Sequence, residues 1–140
     1  MKARIKWLGG RNFVGESGTG HAVVMGSTPV AGQVQLGASP MELVLIGMGG
    51  CTAVDVVLIL EKGREAIEDC VAELEATRAE TDPKVFTRIH VHFVVKGRKL
   101  NRDKVERAIR LSADKYCSAS AMIAKTATIT HDFEVVETGV

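Results

Sequence analysis

With 140 residues, 46% hydrophobic and 25% charged at a net charge of +1, the chain has the size and balance of one soluble globular domain over residues 1–140. Its basic residues are scattered rather than striped, which argues against a nucleic-acid partner. Cys51, Cys70 and Cys117 are too widely spaced for a disulfide framework, and no CxxC or Cys/His pair has zinc-ligand spacing, so no metal or other cofactor is expected.

"MKARIKWLGG" lacks the apolar run of a signal peptide, so the expected compartment is the cytoplasm, with thiols reduced. The first 36 residues read as short strands and turns: "ARIKWL", a "GG" break, the turn cluster "ESGTGH", then "AVVMG". "STPVAGQVQLGASP" follows as a surface loop. Ser39 is then an N-cap, Pro40 suits the first helical position and Glu42 lies in the first turn. The helix that begins there ends at "EKGR", with Gly63 as its C′ residue.

From Leu43 to Leu60 this helix carries a single charge, Asp55. Its length touches the lower limit for a membrane span. Three glycines, a threonine and the aspartate argue against one, since a mid-bilayer charge costs about 2.5–3.5 kcal/mol on insertion scales. No membrane partner is expected. A helix apolar all round can instead be buried in protein. A chain this small has little material to wrap it, so a second subunit is implied. Gly49 and Gly50 stand just before Cys51, although each helical glycine costs about 1 kcal/mol relative to alanine. Close approach of another backbone or space beside the sulfur would explain them.

"EAIEDCVAELEATRAE" is ambiguous: its propensity favours helix, while Cys70, Ala72, Leu74 and Ala76 alternate as in a half-buried strand. After Asp82-Pro83, Ile89, Val91, Phe93 and Val95 face one way and Arg88, His90, His92 and Lys96 the other, a strand with one wet face. A hairpin through "TDPK" would pair the two segments. Asn101 caps a second helix with Val105, Ala108/Ile109, Ser112 and Tyr116 at helical spacing. A short helix "SASAMIAK" and a last strand follow, the latter alternating Ile129, His131, Phe133 and Val135 against Thr130, Asp132 and Glu134. The order reads as one α+β domain. His90 and His92 share a strand face, read as solvated rather than metal-binding.

Cys70 lies on an apolar face and reads as packing. Taken singly, Cys51 and Cys117 also read as core cysteines. Taken together they admit a reacting thiol and a second thiol that resolves it, which spacing alone leaves open.

"SPMEL…GGCT" on a long apolar helix, with a second cysteine ending a later helix, resembles the OsmC/Ohr family of peroxide-handling proteins. The resemblance runs from the N-terminal strands to "ITHDFEVVE". With "GESGTGH", "VLILEKGR" and "DKYCSA" the chain is most similar to the YhfA-type branch. It implies an intertwined homodimer, with the long apolar helix central against β-sheets and the ambiguous segment a strand. It also implies a thiol-dependent hydroperoxide reductase whose partners are a small organic hydroperoxide and a dithiol reductant. Cys51 would attack the peroxide and Cys117 would resolve the sulfenic acid as a disulfide.

Only a thiolate is nucleophilic, and burial opposes it, so a nearby cation is needed. In the Ohr branch an N-terminal arginine supplies it, held by a glutamate directly after the helix-opening proline. "GGRNF" places Arg11 at the arginine's position. Met41 follows Pro40, however, and Glu42 comes one residue later, about 100° around the helix. This departure supports an alternative: an OsmC-fold binding or regulatory protein holding a small apolar ligand at the dimer interface.

Overall fold

A computed structural model describes residues 1–139, which form two compact units, Met1–Ile46 and the remainder from Gly47. In the first unit β1 (Ala3–Gly9), β2 (Asn12–Ser17) and β3 (Ala22–Gly26) form an antiparallel meander. The β1–β2 turn uses Gly9 and Gly10 at φ 96° and 57°, backbone that a side chain disfavours. Trp7 stays exposed and donates from its indole to the Gly10 carbonyl at 2.9 Å. The loop after β3 is not merely a surface strap. Buried Asn12 donates to the Val34 carbonyl and accepts from the Leu36 amide, both at 2.9 Å, so one side chain fixes two loop backbone groups.

Helix α1 (Pro40–Lys62) begins at the expected cap. Ser39 Oγ accepts from the Glu42 amide at 3.2 Å, and Glu42 Oε1 accepts from the Ser39 amide at 3.0 Å, a reciprocal capping box. Its C-terminus differs from expectation by one residue. The left-handed residue is Arg64 (φ 58°), whose amide reaches the Glu61 carbonyl while the Glu65 amide reaches that of Leu60. That is a Schellman closure with Arg64, not Gly63, at C′.

The second unit holds one three-stranded sheet, order β4–β5–β6. The ambiguous segment is strand β4 (Ala66–Arg78), paired antiparallel along its length with β5 (Phe86–Arg98). Cross-strand pairing and the inward set Cys70, Ala72 and Leu74 override helix propensity there. The chain then crosses over through α2 (Arg102–Leu111), a π-helical turn (Ser112–Tyr116) and α3 (Ser118–Ile123) to β6 (Thr128–Glu137), which lies parallel to β5. Asn101 caps α2 by accepting the Asp103 and Lys104 amides.

Ile89, Val91, Phe93 and Val95 of β5 are buried, as are Val105, Ala108 and Ile109 of α2. Helix α1 adds Met48, Thr52, Val56 and Leu60, a stripe at intervals of four. The opposite stripe of α1 is bare: Val54 is 57% and Leu58 46% exposed. The helix is thus apolar on a face that the rest of the second unit leaves uncovered.

Candidate functional site

Cys51 sits in the second unit, half-buried on α1, one residue before buried Thr52. A β-carbon added at Gly49 would press on the Leu74 side chain at 2.8 Å, whereas one at Gly50 would meet nothing within 4 Å. The two glycines therefore answer different demands. Gly49 admits β4, and Gly50 opens the helix surface next to the cysteine.

Cys117 reaches the same place because of the π-helical turn. The sequence predicts a regular helix in which Tyr116 shares the inward stripe of Ser112. The structure closes the turn from the Cys117 amide to the Ser112 carbonyl at 2.8 Å, five residues back. That takes one residue more than an α-turn, so Cys117 rather than Tyr116 returns inward. Cys117 is 3% exposed, while Tyr116 is 50% exposed under the Lys115 ammonium.

The Cys51 thiol lies near enough to Cys117 to act on its pKa. Both thiols are free. Cys117 Sγ also accepts from the Ser120 amide at 3.3 Å and the Ser120 hydroxyl at 3.0 Å, since Cys117 caps α3. Burial pushes the Cys117 pKa up, the Ser120 contacts oppose this, and the Cys51 neighbour adds to the rise. The net direction is upward, so Cys117 rests as a thiol at neutral pH. Cys70 lies elsewhere, opposite Val95 on β4, and burial and then Asp69 raise its pKa.

Arg11 belongs to the first unit, exposed in the β1–β2 turn, where Nη1 donates to the Thr28 carbonyl at 2.9 Å. Glu42 is the capping-box carboxylate, and the Ser39 amide and then the Ser39 hydroxyl hold its pKa below the usual value. Met41 is half-buried beside it.

Three groupings escape the sequence reading. Thr52, Ser112 and Asp55 form a hydrogen-bonded set against α1. The signals were Asp55, the single charge on the apolar run, and a serine on an otherwise apolar stripe. His131 stacks on Phe93 with centroids 6.4 Å apart, and burial, then His90, hold its pKa down. On the open sheet face Asp132 Oδ1 accepts from His90 Nε2 at 2.8 Å and His92 Nδ1 at 2.7 Å. That hydrogen bond to Asp132 raises the His92 pKa. Among the described residues no group of three or more His, Cys, Asp or Glu is arranged to hold a metal ion.

The family described as OsmC-like protein matches residues 32–132. Protein YhfA of Escherichia coli K12 is 47% identical over 136 residues, covering 97% of this chain and 98% of its own. The crystal structure of a hypothetical protein from Aquifex aeolicus VF5 superposes at TM-score 0.86 with 28% identity, over 99% of this chain and 97% of that one. The organic hydroperoxide resistance protein OhrB of Bacillus subtilis shares the fold at TM-score 0.62 and 19% identity, covering 96% of this chain and 98% of its own. With a match across most of its length and a relative of this identity, the chain belongs to the OsmC-like protein family.

Proposed function

We propose that the protein is a thiol-dependent reductase of organic hydroperoxides. The observation that carries this reading is the pair of free thiols, Cys51 half-buried and Cys117 buried, with Cys51 near enough to Cys117 to raise its pKa. Cys51 as thiolate attacks the terminal oxygen of ROOH: an S–O bond forms, the O–O bond breaks, and RO⁻ takes a proton and leaves as ROH. Sulfur is oxidised by two electrons. Cys117 then attacks the Cys51 sulfenic acid, forming the S–S bond and releasing hydroxide, which leaves as water with the Cys117 proton. A dithiol restores both thiols by two exchanges and departs as its own disulfide. Arg11 enters this proposal on the family pattern alone, as the cation that favours the Cys51 thiolate.

The test is a thiol count before and after one equivalent of tert-butyl hydroperoxide. Loss of two thiols with release of tert-butanol is expected. Three free thiols after prolonged exposure would overturn the reading. They would favour the second one, a binding or regulatory protein with a small apolar ligand between subunits. One observation supports that second reading: Glu42 is committed to the Ser39 cap and Arg11 to a loop carbonyl.

The raised Cys117 pKa sets the pH dependence of the resolving step. Its nucleophile is the Cys117 thiolate, and burial holds that pKa above the ordinary cysteine range. Condensation after a single equivalent of peroxide should therefore accelerate as pH rises from neutral into the alkaline range. A profile flat over that range would show that thiol deprotonation does not limit the step.

The bare stripe of α1 supports a homodimer within the same proposal. Val54 and Leu58 are exposed, and β-carbons added at Gly47 and Gly50 would meet nothing within 4 Å, so these small residues leave room for a second chain. Sedimentation should give a dimer at micromolar concentration, and Val54→Glu should give monomer, because a carboxylate buried there would be unpaired. A wild-type monomer at that concentration would reject the assignment.

A further inference from the structure

The two cysteines come from elements far apart in sequence, and a buried relay joins those elements beside them. Thr52, the neighbour of Cys51, is fully buried and its Oγ1 lies 2.8 Å from the Oγ of fully buried Ser112. Ser112 Oγ donates to Asp55 Oδ2, also at 2.8 Å. Each hydroxyl has one proton and an ionised carboxylate only accepts. The direction follows: Thr52 donates to Ser112, and Ser112 donates to Asp55. Ser112 is also the first residue of the π-helical turn, and its carbonyl accepts the Cys117 amide at 2.8 Å.

We propose that the Thr52–Ser112–Asp55 relay sets the approach of Cys117 to Cys51, making Thr52 and Ser112 positioning residues for disulfide formation. This rests on the two-cysteine reading above. Apolar burial between α1 and α2 is non-directional and tolerates small slides and rotations. A disulfide does not, since its β-carbons must come to about 3.5–4.5 Å with the S–S torsion near a right angle. Directed hydrogen bonds supply the missing constraint at the needed place. One end of the relay is the residue after Cys51, and its middle member, Ser112, opens the turn that aims Cys117.

The experiment equilibrates the full chain in glutathione redox buffers and quantifies the 51–117 disulfide by alkylation and peptide mapping. Glutathione disulfide takes two electrons from the thiol pair, giving the protein disulfide and two glutathione thiols, so no peroxide activity is needed. Thr52→Val removes the hydroxyl and keeps the volume. It should shift the equilibrium toward dithiol by about tenfold, about 30 mV for a two-electron couple. Thr52→Ser should restore it, a rescue that a purely packing role would not give. Ser112→Ala, which adds no volume and leaves half-buried Asp55 open to water, should move it the same way and decides the matter if Thr52→Val does not fold. A wild-type equilibrium in the folded variants, even with lowered thermal stability, would overturn the inference. So would a wild type that forms no 51–117 disulfide in these buffers. A wild type that forms it yet consumes no hydroperoxide would instead reject the reductase reading and leave the positioning role standing.

Discussion

Cys51→Ser is expected to lose essentially all hydroperoxide consumption, whereas Cys117→Ser should reduce one equivalent and then stop with Cys51 trapped as its sulfenic acid. The asymmetry follows from the environments of the two sulfurs. Cys117 is almost wholly buried, and burial holds it as a thiol, the unreactive form. Cys51 is the more accessible member of the pair and has open space beside it at Gly50. A serine hydroxyl at position 51 lacks the polarisable nucleophile that attacks an O–O bond. Without the thiol at 117 the sulfenic acid has no resolving partner, and it moves on slowly toward over-oxidation. Peptide mapping of the oxidised wild type should find 51 linked to 117 and Cys70 free. Linkage of 70 to either residue would reject the assignment, as would equal peroxide consumption by Cys51→Ser.

Phe93→Ala should cost about 3–5 kcal/mol of unfolding free energy, measured by denaturant titration. Phe93 is fully buried on β5, which is the central strand of its sheet and pairs on both sides. Its ring packs parallel to that of His131, whose Nε2 is buried without a protein hydrogen-bond partner. Truncation leaves a cavity in a place held on both edges by ladder hydrogen bonds, so the backbone cannot close in on it. Against a typical total of about 5–15 kcal/mol, such a loss approaches global unfolding. A loss under about 1 kcal/mol would mean that this part of the core collapses freely, contrary to the two-sided pairing of β5.

Much of this architecture was legible in local chemistry. Ser39, Pro40 and Glu42 announced the start of α1, because a cap needs only residues close in sequence. Period-2 alternation revealed β5 and β6 for the same reason. Glycine punctuation marked the N-terminal turns. The ambiguous segment resisted because helix propensity and strand alternation coexist there, and only pairing with β5 separates them. The C′ position slipped by one residue, since Arg64 can take the left-handed conformation once the Schellman hydrogen bonds hold it.

The thiol pair divides along the same line. Residue identity alone made Cys51 and Cys117 the candidates, through their neighbours and the family resemblance. Their meeting depends on a single extra residue in a π-helical turn, which a regular 3.6-residue period cannot register. Tyr116 was therefore expected inward, and Cys117 occupies that place. Of the Thr52–Ser112–Asp55 relay the sequence marked only Asp55, the lone charge of the apolar run: Ser112 lies 60 residues from Thr52, and a hydroxyl on an apolar stripe names no partner. Sequence by itself determined most of the elements and named the candidate thiols, because propensity, capping and alternation act over a few residues. Tertiary structure alone decided which thiol is buried, which side chains hold it and which face of α1 is left bare, because burial and hydrogen-bond partnership exist only once distant segments pack.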